Sequence, residues 1–381
     1  MFRSASMIAV LAGLATGVNG QADLFWNAGS GVWSDPLNWN PQNVPDNTGE
    51  NALLLSPSGA VVTLDISPGI LGLTVGAGIT LDIPQGRAFF IHADSVNNGL
   101  INLNPTTSTL DSYIQFNANL TLSGTGTLRL AGGLGNDAFL NSAGGVAVTN
   151  GPDHIIDGTG VIYAEVINEG VIESRDTGFG TELALAGSPK TNNGTIRAPA
   201  GTTLSIGSIS ISQGPSGVLH ADAGGEIRLD GSQTLAGGRL TVAPGGVVRR
   251  TANGVLTLQG IVIEDTLTTE AGGVVYCNGA VLDCPGTILI NDSTSTLDAY
   301  MQFLNDCTAT GGGEIVLAGS GNDSYLNTSG GVTLTIDPTF AIGGSARCPP
   351  PSSTTASSMP TRSPTATGGS CSMPTPRRTT R

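Results

Sequence analysis

The sequence predicts an all-β fold, a right-handed parallel β-helix (a β-solenoid) with an N-terminal Trp-rich cap, and three observations predict it. The chain writes one passage twice: "TLDSYIQFNANLTLSGTGTLRLAGGLGNDAFLNSAGGVAVT" at 109–149 and "TLDAYMQFLNDCTATGGGEIVLAGSGNDSYLNTSGGVTLT" at 296–335, with an offset that slips from 187 to 186 at one Gly. A finer beat runs beneath it. "VNNGLINL" (96–103), "INEGVIES" (167–174) and "TNNGTIRA" (191–198) share Asn-x-Gly before alternating apolar residues, while "AGGEIRLDG" (223–231), "PGGVVRR" (244–250) and "AGGVVYCNG" (271–279) repeat a second turn-then-strand phrase. Finally, 56 Gly, 12% charged residues and short Val/Ile/Leu/Thr runs describe many short strands joined by tight turns, with too few 3.6-period stretches for helices.

Each phrase has a physical reading. Asn and Gly accept the left-handed backbone that a sharp corner requires. The residues that follow alternate, so one side of each strand faces inward. A single unit cannot bury that side alone, but stacked units share a continuous core. The crossover between parallel strands favours the right hand. Roughly 20–25 residues per coil, rising about 4.8 Å each, give a rod of about 60–80 Å. A pair of antiparallel β-sandwiches is the alternative architecture.

In chain order, residues 1–22 read as a signal peptide. Arg3 precedes the short apolar run "MIAVLAGLATGV" (7–18), and cleavage after Gly20 or Ala22 fits the small residues there. The run is too short for a membrane span, and no later segment is long and apolar enough. Residues 23–60 form the cap, in which Trp26, Trp33 and Trp39 close the first open coil. Residues 61–346 form the solenoid, with duplicated segments 106–160 and 293–346. Residues 347–381 turn abruptly to Pro, Ser, Thr and Arg with no Asp or Glu. Read one base early, with Ser codons of the TCN type, "SSTTASSMP" (352–360) can spell Ile-Ile-Asn-Asn-Gly-Val-Val-Asp-Ala, the phrase of "VINEGVIES" (166–174). Its Gly then falls at 356, 186 positions after Gly170. The expectation is a reading-frame shift near Arg347; a disordered Ser/Thr/Pro stalk is the plainer reading.

The N-terminal "WNAGSGVWSDPLNWNPQNVPDNTGENALL" (26–54), with Trp26, Gly31, Trp33, Asn38, Trp39, Val44 and Pro45 in that spacing, resembles the opening of bacterial exported β-helix proteins of the autotransporter-passenger and adhesin kind. The phrases at 154–174 and 191–206 are similar to the repeats of those proteins. The resemblance implies a secreted or cell-surface solenoid over roughly 26–346. It implies no activity, because a fold does not fix one.

The formal charge is −14, and residues 21–346 hold 9 basic against 29 acidic side chains, a net of −20. This balance disfavours nucleic acid and anionic membrane surfaces as partners. An extracellular polymer, a cell-surface component or another copy of the chain is expected instead. Catalytic phrases are sparse. The Asn-Thr-Asp, Asp-Asp, Gly-His-Gly and Arg-x-Lys phrases of pectinase-type β-helix hydrolases do not occur. Lys190 is the only lysine, and Arg249–Arg250 the only basic pair before the tail. A cluster of carboxylates beside Arg249 or Lys190 on one face would favour a polysaccharide-active lyase or glycoside hydrolase. His92, His154 and His220 read as turn-exposed, with no Gly-x-Ser-x-Gly elbow to support a triad. No catalytic residue and no cofactor is expected.

Two phrases bear on metal. "GGLGNDAFL" (132–140) satisfies the Ca²⁺ nonapeptide and "AGSGNDSYL" (318–326) nearly does, so Asn136, Asp137, Asn322 and Asp323 are the Ca²⁺ candidates. The phrases stand far apart, and the plainer reading is a Gly-Asn-Asp corner between coils. Of the five cysteines, Cys277 and Cys284 are the candidate disulfide, with Cys307 nearby. The expected function is that of an exported, non-enzymatic structural or adhesive solenoid. The alternatives are the polysaccharide-active enzyme and a Ca²⁺-dependent binding module.

Overall fold

The computed structural model describes residues 21–344, apart from 107–108, 133–136, 253 and 320–322. The readings placed on residues 1–20 and 345–381, signal peptide and shifted frame, lie outside the described residues. Within them the chain winds into a β-solenoid of about 12 turns. At about 4.8 Å per turn this is a rod close to 60 Å long.

Each turn lays one short strand on each of three faces. Lys190–Asn192 lies on the first, Thr195–Ala198 on the second and Thr203–Ile206 on the third; Ser210–Gln213 then returns to the first. Successive turns pair in parallel, Lys190 with Ile211, Thr195 with Val218 and Thr203 with Glu226. This pairing rules out antiparallel sandwiches. The second and third faces join through Ile155–Ile162, which pairs along its first half with Thr127–Ala131 and along its second half with Ala138–Ser142 of the preceding turn. Toward the C-terminal end the second face is carried by a separate sheet of Val281–Asp283, Cys307–Thr310 and Leu334–Ile336. No helix among the described residues is long and apolar enough to cross a membrane.

Period-2 alternation builds the core. On the second face Leu81, Ile101, Leu128, Ile156, Ile172, Ile196, Leu219, Leu240 and Ile263 stand in register on consecutive turns, all buried. Each contributes roughly 1.5–3 kcal/mol of burial, and none could do so without the turns above and below.

The tryptophans close the N-terminal end as expected. Trp39 meets Trp26 edge-on at 5.1 Å and Trp33 at 4.8 Å, and all three rings are buried. Each indole N–H is satisfied by a carbonyl: Trp26 by Gly29, Trp33 by Pro45 and Trp39 by Trp33. Trp39–Asn40 runs antiparallel against Ala22–Trp26 and so covers the edge of the first parallel strand.

The duplication takes an unexpected form: the second copy is turned by one face about the rod axis. Ser112–Phe116 lies on the third face and its copy Ala299–Phe303 on the first. Local geometry survives the rotation. Tyr113 stacks on Phe139 at 5.4 Å, and their copies Tyr300 and Tyr325 stack at 5.3 Å, both pairs with planes 4° apart. Gly158 and Gly344 share φ of 125° and 131°, and a Cβ at either would strike the carbonyl of Leu130 or its copy Leu317. The strand-and-corner unit therefore specifies its own shape whichever face it occupies.

The corners divide into two kinds, which corrects part of the sequence reading. Gly224, Gly245 and Gly272 of the Gly-Gly phrases are left-handed, φ 77°, 88° and 81°, as expected. In the Asn-x-Gly phrases neither Gly170 nor Gly194 is left-handed. Glycine is needed there because a Cβ would collide with carbonyls of the preceding turn, those of Gly151 and His154 for Gly170 and that of Gly170 for Gly194. The left-handed asparagines are instead Asn104 and its copy Asn291, φ 55° and 61°.

Candidate functional site

The outward side chains of the second and third faces form ladders of charge. On the second, Asn102, Arg129, Asp157, Glu173, Arg197, His220 and Thr241 stand in register on successive turns. Arg129 clasps Asp157 through Nε at 2.8 Å and Nη2 at 2.9 Å, and Arg175 adds a third contact at 2.8 Å. The hydrogen bond to Asp157 holds the Arg129 guanidinium above its ordinary pKa. Arg197 Nε donates to Glu173 at 2.6 Å.

On the third face Arg228 and Arg249 are neighbours in register. Arg228 bridges Glu182 at 2.9 Å and Asp230 at 3.1 Å, while Arg249 lies between Glu226 at 2.5 Å and Glu270 at 3.3 Å. The sequence singled out such carboxylates beside Arg249 as the mark of an enzyme. The structure places Glu226 and Glu270 on either side of Arg249 on that face. Burial pushes Asp230 up, but hydrogen bonds from Ser205, Thr251 and Arg228 outweigh it and hold its carboxyl below the usual range. Asp230 itself is thereby shifted away from the range of a general acid.

Period-2 alternation splits the basic pair, turning Arg249 outward and Arg250 into the core at 0% exposure. Arg250 Nη1 donates to the Leu229 carbonyl at 2.6 Å, and burial lowers its pKa. Lys190 also points inward. Its Nζ donates to the carbonyls of Ala186 at 2.9 Å and Ser188 at 2.5 Å, and burial, opposed by Glu165, lowers its pKa to about 7. Neither cation can reach a polymer lying on the surface.

The expectation of three turn-exposed histidines fails at His154, which is fully buried. His154 sits in a ladder of amides along the inside of the first-face corner. Asn97 Nδ2 meets His154 Nε2 at 3.0 Å, His154 Nδ1 meets Asn150 Oδ1 at 2.7 Å, and Asn150 Nδ2 donates to Asn168 Oδ1 at 2.7 Å. Asn168 donates to Asn192 at 2.8 Å, Asn192 to Gln213 at 3.0 Å, and Gln213 to the Gly237 carbonyl at 3.1 Å. An amide N–H₂ only donates, so His154 Nε2 accepts, Nδ1 carries the proton, and every bond runs the same way. His220 is outward, with Asp222 at 2.9 Å on Nε2 and Thr241 Oγ1 at 2.7 Å on Nδ1. This hydroxyl–imidazole–carboxylate line lies on an open sheet. The neighbouring N–H groups of Val242 and Ala243 are committed to Asp265 and to the Ala221 carbonyl.

Of the Ca²⁺ candidates, Asn136 and Asn322 lie outside the described residues. The backbone carbonyl of Asp137 accepts from Asn104 Nδ2 at 2.9 Å and Ser112 N at 2.8 Å, and that of Asp323 accepts from Asn291 Nδ2 and Ala299 N, each at 2.9 Å. The two aspartates thus perform the same corner-bracing task in both copies. Among the described residues no three His, Cys, Asp or Glu side chains converge as metal ligands.

The cysteine brought against Cys277 is Cys307, one turn on, with the sulfurs 3.8 Å apart. Cys277, Cys284 and Cys307 are free thiols and all are buried; burial pushes Cys284 up to about 12. Mild oxidation of the purified chain should therefore link Cys277 to Cys307. Peptide mapping without reduction checks this, with Cys284 alkylated only after unfolding. A Cys277–Cys284 link would mean that the turns differ from those described.

No protein-family model matches the chain, and no curated protein matches it. What the structure shows is the β-solenoid architecture itself.

Proposed function

We propose that this chain is an exported, non-enzymatic solenoid rod that serves as a structural or adhesive element at the cell surface or in the extracellular matrix. The observation that carries this reading is the pairing of outward arginines with carboxylates, mostly those of neighbouring turns. Arg129, Arg175, Arg197, Arg228, Arg239 and Arg249 each pair with a carboxylate. Such ladders tie successive turns together and stiffen a rod. The apolar run at 7–18 and the acidic balance support export and display in an aqueous exterior. The test is fractionation of the producing cells together with incubation of the purified chain with a panel of glycans. Recovery at the surface or in the medium without release of reducing ends is expected, and cytosolic retention or turnover overturns the reading.

One observation favours a second reading, a polysaccharide-active enzyme: Glu226 and Glu270 flank Arg249 on one open face. Glycan turnover abolished by Glu226→Gln would establish it.

A further inference from the structure

The first face differs from the other two in its chemistry. Its seven strands from Lys190–Asn192 to Ser324–Thr328 contain one charged residue, Lys190, and that side chain points into the core. Outward on this face Ser210, Thr234, Thr257, Tyr276, Gln302 and Asn327 stand in register on six successive turns. Neutral donors and acceptors thus recur about every 4.8 Å along the rod. A protein with a net charge of −14 has confined its charges elsewhere.

A shallow groove opens on this column, lined by Ser210, Ser232, Gln233, Thr234 and Thr257 among others. Ser210, Thr234 and Thr257 make no side-chain hydrogen bond among the described residues, so their hydroxyls are free to bond outward. Gln233 is only 3% exposed. Its Nε2 is committed to the carbonyls of Ile206 at 2.8 Å and Asp230 at 2.5 Å, and its Oε1 has no partner. Gln233 thus turns inward from the column and leaves the surface to the hydroxyls. Farther along, the stacked rings of Tyr300 and Tyr325 stand beside the column as a rigid wall.

We propose that this face binds a neutral, linear polysaccharide laid along the rod axis, its sugar hydroxyls exchanging hydrogen bonds with Ser210, Thr234 and Thr257. Charge selects the class. An acidic glycan meets no cation here and is repelled by the net charge, whereas a neutral one matches hydroxyl for hydroxyl. The turn-to-turn spacing is close to the length of one sugar ring in an extended chain, so successive rungs address successive sugars. The proposal rests on the adhesive reading above and names what the adhesin holds.

The test is retention of the full chain on insoluble cellulose, chitin, starch and a β-1,3-glucan, with polygalacturonate as the acidic control. Retention on at least one neutral polymer is expected, weakened tenfold or more by T234K or T257E. Both add charge to outward, half-buried strand positions and should leave the melting temperature within a few degrees of the parent's. Thr268→Lys, outward on the third face, should bind as the parent does. Retention on none of the neutral polymers, retention on polygalacturonate alone, or equal retention by T234K and T257E overturns the proposal. So does a dimer in analytical ultracentrifugation that these variants break while no polymer is held, which would assign the face to self-association. In each of those outcomes the exported-rod reading stands if the chain is recovered at the surface and releases no reducing ends. Release of reducing ends overturns that reading whatever is bound.

Discussion

Replacing Asn168 with alanine is expected to destabilise the solenoid by roughly 3–5 kcal/mol, although the side chain removed is small and polar. Asn168 is 1% exposed and occupies the middle of the amide ladder. It accepts from Asn150 at 2.7 Å and donates to Asn192 at 2.8 Å and to the Thr195 carbonyl at 3.1 Å. Alanine leaves Asn192 Oδ1 and the Thr195 carbonyl without these donors inside an apolar core, at about 1–3 kcal/mol for each orphaned group. The loss of the ladder's uniform direction adds to this, because bonds in series polarise one another. Urea unfolding of N168A beside Thr191→Ala, outward on the next turn, reads the difference. Hydrogen exchange at the amides of 190–198 localises it. Equal midpoints for the two variants would show that the ladder is incidental to stability.

The ladder also marks how far the sequence could be read. The Asn-x-Gly beat located the corners, and alternation gave each strand one inward side, which Ile196 and Ile227 occupy in "TIRA" and "EIRL", because one buried side per strand leaves a period-2 trace. The duplication gave the repeat, and Trp26, Trp33 and Trp39 gave the cap. What Asn168 does was hidden. Its partners Asn150 and Asn192 lie 18 and 24 residues away, and only stacking brings them together. For the same reason a surface role was assigned to His154, since a lone His beside Asp153 carries no sign of the amides above and below it. The rotation of the second copy was equally invisible, because an offset of 187 residues says nothing of which face the chain has reached. The neutral column from Ser210 to Asn327 is assembled one residue per turn, so no window of sequence contains it.

Lowering the pH from 6.5 to 4 is expected to destabilise the protein by about 3 kcal/mol through His154 alone. Burial lowers the pKa of this imidazole from 6.5 to about 4, and its ring meets the amides of Asn97 and Asn150 rather than a carboxylate. The unfolded chain therefore takes up a proton first. Stability is full above pH 6.5, falls as the unfolded state binds the proton, and stops falling on this account once the folded imidazole protonates near pH 4. At about 1.4 kcal/mol per pH unit, that window gives the stated loss. Geometry supplies the cause: a proton on Nε2 would turn the acceptor facing Asn97 Nδ2 into a donor and set two donors against each other. Lys190 does not blur the window. Its folded pKa of about 7 lies below the ordinary 10.5, so its own contribution changes only between those values, on the alkaline side. Urea midpoints at half-unit pH steps should therefore decline between 6.5 and 4 in the parent. In H154Q, whose amide can both accept and donate but does not titrate, the slope in that interval should be markedly flatter. An equal slope in both proteins would place the acid sensitivity elsewhere and remove His154 from the ladder's working description.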